Sequence, residues 1–312
     1  MQKVFGTDGI RGIFGEYPMI PDFIMRLGYA AGNVFSHLTD RPVIAVGRDT
    51  RESSPILQYM LVSGLLMSGT TIMDLDVITT PGVSHLVKRL GFSAGIVISA
   101  SHNPAHQNGI KFFNSKGFKL SPVVESKIEK TLSQVHLSEL DVFSGFGECV
   151  EAKSLKELYV SSLIKEQNGL DLDGLKIVMD CANGAASQLA PDCFQRLGAN
   201  VVAVNATPTG RNINNSALSE YLRKKPEKMI DLLQAYNADF GIAFDGDADR
   251  VVFIDEDIGV LDGDYLLAIL ARYLAQHNRL LGNIIVTTEM RNTGLVEFAN
   301  SLGLTLSETK VG

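Results

Sequence analysis

One supersecondary rhythm recurs three times along this 312-residue chain. An apolar run leads through a turn into an amphipathic helix that closes on glycine, and a second apolar run follows. The first copy reads VIAVGRD (43–49), SPILQYMLVSGLLMSG (54–69) and TTIMDLDVI (70–78). The second reads LKIVMDCANG (175–184), AASQLAPDCFQRLG (185–198) and ANVVAVN (199–205). The third reads NIIVTTEMRNTG (283–294), LVEFANSLG (295–303) and LTLSET (304–309). Strands that are near-continuous in Val, Ile and Leu belong to parallel sheets covered on both faces. Glycine behind each helix suits a left-handed cap. The repeat predicts an α/β class: three-layer α/β/α domains with mixed, mostly parallel sheets.

The first copy continues through a helix at 83–91 into the strand AGIVIS, and the second through a helix at 226–238 into DFGIAFD. The third stops at Lys310-Val311-Gly312, which reads as a chain cut inside its third domain. The expected domains are 1–150, 151–252 and 253–312. The nearest thing to a linker is the short segment 141–153, so close packing of the domains is expected.

Composition narrows the function classes. A formal net charge of −7 argues against a nucleic-acid binder, which needs a basic surface, but leaves room for a small phosphorylated ligand. The three cysteines, Cys149, Cys181 and Cys193, fit no zinc spacing and read as reduced thiols in a cytoplasmic protein. No stretch has the length of a membrane span, and MQKVFGTDGIRG lacks the apolar core of a secretion signal.

Three clusters carry chemistry. The first is FDGDADR (244–250), with carboxylates at Asp245, Asp247 and Asp249 between apolar strands. In an extended loop alternate residues share a face, so the three acids can converge. Converging acids repel one another unless a cation sits among them, and all-oxygen ligands favour a hard ion such as Mg²⁺. An acidic hairpin built on the Asp-Gly turn remains the plainer alternative. A calcium EF-hand is excluded, because Arg250 stands where that loop requires glycine.

The second cluster is ISASHNP (98–104), a polar loop at the carboxyl end of a buried strand, where open α/β sheets bind ligands. Ser101 is a candidate nucleophile. A serine hydrolase is disfavoured, since there is no G-x-S-x-G elbow and neighbours such as Ser101 and His102 generally point apart. An Asn-Pro turn with solvated side chains is the bland alternative. NGIK (108–111) follows, a second loop whose Lys111 suits phosphate or a proton transfer. The third cluster, FGTDGIRG (5–12), lets backbone come close to a ligand and offers Arg11 as a planar fork for phosphate. Neither a Walker loop nor a G-x-G-x-x-G motif occurs, so ATP and NAD readings lack support.

Together FGTDGIRG, GIVISASHNP with NGIKFF, and DGDADR resemble the α-D-phosphohexomutase superfamily. The form of the first motif, with VMDCANGAA (178–186) and NIN (212–214), is most similar to its phosphoglucosamine mutase branch. The resemblance covers essentially the whole chain. It implies a four-domain isomerase that interconverts glucosamine 6-phosphate and glucosamine 1-phosphate for cell-wall precursor synthesis. Ser101 would carry a phosphoryl group and pass it to the sugar through a bisphosphate intermediate. Mg²⁺ would be held by Asp245, Asp247, Asp249 and the phosphoserine. Arg11, His102, Lys111 and Arg250 would line the same centre, with Arg11 and Arg250 toward phosphate. Lys111 is a candidate proton acceptor, provided that neighbouring cations lower its pKa.

The family pattern runs on where this sequence ends. The resemblance therefore implies a third domain without its sugar-selecting G-E-x-S-G-H loop, and no fourth domain with its R-x-S-G-T-E-P loop. Full activity is not expected from such a chain. The segments 214–229 and 288–294 depart from the branch. Phosphoglucomutase or phosphomannomutase activity, a non-catalytic sugar-phosphate-binding remnant, and a Mg²⁺-dependent phosphatase are the alternatives. The expected partners are small molecules, a hexosamine phosphate and a sugar 1,6-bisphosphate.

Overall fold

A computed structural model describes residues 3–139, 145–215 and 225–311. Most of the linker candidate's first residues (141–144) and much of the unusual segment after Asn215 (216–224) lie outside them.

The first unit holds a six-stranded sheet in the order β1-β5-β4-β2-β3-β6. Its strands are β1 (Ile10–Ile13), β2 (Val43–Arg48), β3 (Thr71–Val77), β4 (Ala94–Ile98), β5 (Gln107–Asn114) and β6 (Cys149–Glu151). Strands β4, β2, β3 and β6 run parallel, while β1 and β5 pair antiparallel. Alternation along the strands sorts side chains between two cores. Ile44, Val46, Ile96 and Ile98 pack with α1 (Pro21–Ser36), α2 (Ser54–Met67) and α4 (Pro122–Gln134). Ala45 and Val97 face the other way, toward α3 (Thr80–Leu90) and α5 (Leu155–Glu166). This is the expected three-layer arrangement.

The second unit repeats it on a five-stranded sheet, β11-β10-β9-β7-β8. These are β7 (Lys176–Asp180), β8 (Asn200–Val204), β9 (Phe240–Phe244), β10 (Val251–Asp255) and β11 (Gly259–Leu261). Helices α6 (Ala186–Arg196) and α7 (Glu227–Tyr236) cover opposite faces. Because β10 and β11 belong to this sheet, the second unit extends to Leu261, past the boundary expected at 252. The third unit pairs β12 (Ile284–Thr288) in parallel with β13 (Thr305–Thr309) beside α8 (Gly263–Gln276) and α9 (Thr293–Ser301). Among the described residues no helix is long and apolar enough to cross a membrane.

Glycines 69, 198 and 303, behind α2, α6 and α9, all take positive φ, as the helix-ending pattern predicted. Two features were not legible. Helix α3 begins at Thr80, ahead of the expected 83, because Thr79 caps it through the Gly82 amide and Pro81 suits its first turn. Lys111 lies not on a loop but within strand β5, paired with Val97.

Candidate active site

The two sheets point the same kind of connection at each other. Parallel strand β4 leads through the ISASHNP loop into antiparallel β5, and parallel β9 leads through the DGDADR turn into antiparallel β10. Ser101 sits in the first connection with φ +53, a left-handed conformation that is uncommon for a residue with a side chain. Its N–H donates to Ser99 Oγ at 2.9 Å. The loop lies tight against the start of β5, where a Cβ on Gly109 would stand 2.3 Å from the Ser99 carbonyl.

Across the junction the acids converge from a tight turn rather than from an extended segment, and Ala248 takes φ +56 within it. The acidic-hairpin reading and the metal-site reading thus describe one object: β9 and β10 pair, and the turn between them gathers the carboxylates. Ser101 Oγ donates to Asp245 Oδ2 at 2.6 Å and lies 3.4 Å from Asp249 Oδ1. Lys111 Nζ donates to Asp247 Oδ2 and Asp249 Oδ2, each at 2.8 Å. Thr80 Oγ1 donates to Asp247 Oδ2 at 2.6 Å.

The electrostatics follow from burial and like charge. Burial, reinforced by Asp247 and Asp249, pushes the Asp245 carboxyl up to about 7. Burial would raise Asp249 too, but the Lys111 ammonium holds it below the ordinary carboxylate range. For Lys111, burial alone would lower the pKa; the Asp247 and Asp249 carboxylates outweigh it and raise the pKa. The proton-acceptor expectation asked for neighbouring cations, and the groups that Lys111 bonds here are carboxylates, which favour its charged form.

The remaining expected residues take different places. His102 Nδ1 stands 3.5 Å from Ser101 Oγ, a long contact beside the 2.6 Å bond from that hydroxyl to Asp245. Arg250 contributes its backbone N–H to Asp245 Oδ1 at 3.2 Å, with its Nε 3.9 Å from Asp249 Oδ1. Arg11 reaches the centre at one remove: it pairs with Asp8 Oδ2 at 2.9 Å, which lies 3.4 Å from Lys111 Nζ. Four residues escaped the sequence reading: Asp8, Thr80, Arg51 and Asn214. Asp8 lay within FGTDGIRG and Asn214 within NIN. Thr80 stood ahead of the helix start expected at 83, and Arg51 lay outside the three clusters.

The donor set fits a hard divalent cation. The three carboxylates offer oxygens within 4.8 Å of one another, and Asp247 Oδ1 is buried with no hydrogen-bond partner among the described residues. A hydroxyl beside such a cluster, with a buried ammonium opposite, is equipped to hold a phosphoryl group.

Family comparison agrees with this geometry. The models described as phosphoglucomutase/phosphomannomutase α/β/α domains I, II and III match residues 2–138, 155–259 and 262–312. The chain belongs to this family. It is 44% identical over 314 residues to a phosphoglucosamine mutase of Caldicellulosiruptor bescii, covering 100% of this chain and 69% of that protein. Among solved structures it resembles a phosphoglucomutase/phosphomannomutase family protein of Burkholderia thailandensis, with a TM-score of 0.86 and 25% identity over 100% of this chain and 67% of the other. The fold also resembles Aspergillus fumigatus N-acetylphosphoglucosamine mutase, solved with GlcNAc-6P and magnesium (TM-score 0.54, 19% identity, 88% of this chain and 48% of the other).

Proposed function

We propose that this chain is the phosphoryl-carrying and metal-binding portion of a phosphoglucosamine mutase-type isomerase. Its substrates would be glucosamine 6-phosphate and glucosamine 1-phosphate. The observation that carries the reading is the 2.6 Å bond from Ser101 Oγ to Asp245 Oδ2, inside a cluster of three aspartates faced by buried Lys111. Supporting it are the 44% identity to a named phosphoglucosamine mutase and the sugar phosphate and magnesium in the Aspergillus relative.

In this reading Ser101 carries the phosphoryl group. A sugar hydroxyl attacks phosphorus, the bond from phosphorus to Ser101 Oγ breaks, and the sugar proton ends on Oγ, where Asp245 Oδ2 accepts its hydrogen bond. The bisphosphorylated sugar then reorients. Ser101 Oγ attacks its other phosphate, and the same bonds exchange in reverse. Asp245, Asp247 and Asp249 would hold Mg²⁺, which when bound neutralises charge on the transferring group. Lys111 supplies a fixed positive charge to the phosphoryl oxygens. Arg250 and Arg11 stand at the rim, where a second phosphate would meet them. A cytoplasmic setting fits the three free thiols. We propose domain limits after 150 and after 261, the second following the end of β11.

Incubation with glucose 1,6-bisphosphate and Mg²⁺, followed by phosphopeptide mass spectrometry, tests the reading. Phosphate on Ser101, and none on Ser101→Ala, is the expected result. A chain that never takes phosphate there would overturn it. Release of inorganic phosphate without transfer to sugar would point instead to a phosphatase.

A further inference from the structure

Two carbonyl oxygens of the serine loop are each gripped from both units. The Ser101 carbonyl accepts Arg51 Nη2 at 3.0 Å and Asn214 Nδ2 at 2.7 Å. The Asn103 carbonyl accepts the same two donors, each at 2.9 Å. Arg51 Nη1 reaches the Pro104 carbonyl as well. The guanidinium is held in turn: its Nε donates to Asp49 Oδ2 at 2.9 Å, and Asp49 Oδ1 accepts Arg51 N–H and Ser54 Oγ. Arg51 is 1% exposed, so this buried cation is spent on backbone oxygens and one carboxylate.

The arrangement has a mechanical consequence. Ser101 is held at positive φ, a strained conformation that persists only where the surroundings enforce it. A small rotation of its peptide would swing Oγ off Asp245. Arg51, from the first unit, grips with charge-assisted bonds that are stronger than neutral ones. Asn214, from the second unit, grips the same two oxygens. The second unit therefore holds Ser101 twice: by its side chain through Asp245 and by its backbone through Asn214. The amide orientation of Asn214 is set, because turning it over would aim Oδ1 at two carbonyl oxygens. Asn214 also takes positive φ itself, at +61, which asparagine tolerates better than most residues.

We infer that Arg51 and Asn214 are positioning residues that fix the Ser101 and Asn103 carbonyls and so hold Ser101 Oγ against the acid cluster once the two units are docked. The chemical consequence rests on Ser101 being the phosphoryl carrier.

The test uses the full chain with Asn214→Asp, which turns the donor into a repelled acceptor, and Asn214→Gly, which removes the donor while accepting the backbone conformation. Two readouts are taken: the rate of Ser101 phosphorylation from glucose 1,6-bisphosphate with Mg²⁺, and hydrogen exchange at the Asn103 and Gln107 amides. The expected result is phosphorylation slowed by about 10²-fold in Asn214→Asp and about 10-fold in Asn214→Gly. The two loop amides should exchange at least ~10-fold faster while β2 amides keep their rates. Phosphorylation within twofold of the parent in both variants would overturn the inference. So would unchanged loop exchange, or loss of protection throughout the first unit, which would make Asn214 a residue of the fold only. A parent chain that takes no phosphate would sink the reading of Ser101, and loop exchange would still decide the clamp.

Discussion

Thr80 meets Asp247 twice across the junction between the first two units. Its N–H donates to the Asp247 carbonyl at 2.9 Å, and its Oγ1 donates to Asp247 Oδ2 at 2.6 Å. With Lys111 Nζ at 2.8 Å, that oxygen is saturated, and Oδ1 is left for a cation. The first unit thus selects which oxygen of a second-unit acid is left open to an ion. Residues that orient ligands in this way are worth about 10–100-fold in metal affinity. Thr80→Val should weaken Mn²⁺ binding by about that factor, read by electron paramagnetic resonance titration, and Thr80→Ser should restore it. Equal affinity in the parent and Thr80→Val would remove Thr80 from the site.

The Lys111 ammonium offsets only part of the repulsion among the three clustered carboxylates, so a divalent ion should stabilise the fold. At a concentration 100-fold above its dissociation constant the gain is about 2.7 kcal/mol. The melting temperature should rise by several degrees from EDTA to Mg²⁺, and Asp247→Asn should blunt the rise. A melt indifferent to Mg²⁺ in the parent chain would count against a cation at this turn.

Asp180, at the end of β7, supplies a pH dependence away from that turn. Burial raises its carboxyl to about 6, opposed by bonds from the Ala182 N–H and the Asn205 amide. The unfolded carboxyl titrates near its ordinary value of about 3.9. Between those values the folded chain binds more protons than the unfolded one, so stability falls as pH rises from about 4 to about 6. The loss is about 3 kcal/mol, from a shift of roughly two units at 1.36 kcal/mol each. Urea midpoints at pH 4 and pH 7 should therefore lie closer together in Asp180→Asn than in the parent. An unchanged difference would show that Asp180 is not the group responsible.

The third unit has a thin core among the described residues: Ala271, Ile285, Ala299 and Leu304 are buried, while Ile269, Leu270, Tyr273 and Val286 are half exposed or more. Little apolar burial means a low opening free energy. Amides of β12 and β13 should exchange at least ~100-fold faster than those of β2 and β4. Equal protection across all three units would contradict this.

Much of the architecture was legible locally. The apolar runs became β2, β3, β4, β7, β8 and β9 with small shifts at their ends, because strand and helix periods are properties of neighbouring residues. Glycine ended the helices for the same local reason. The start of α3 was missed because Thr79, Thr80 and Pro81 mark a cap only once the helix has a place to begin. The neighbours of Lys111 were not legible because Asp247 and Asp249 lie 136 and 138 residues away.

By itself the amino-acid sequence determined the repeated α/β unit, the chemical types present in each cluster, and the choice of Ser101 and the three aspartates as the residues to watch. That they belong together was implied only by the family resemblance, and the contacts that join them are decided by the tertiary structure. Ser101 and Asp245 are 144 residues apart, and their contact exists because the carboxyl ends of two separate sheets face each other. The same holds for the charge on Lys111 and for the grip of Arg51 and Asn214. A pKa or a hydrogen bond depends on what stands within a few ångströms, and sequence order fixes that only within an element.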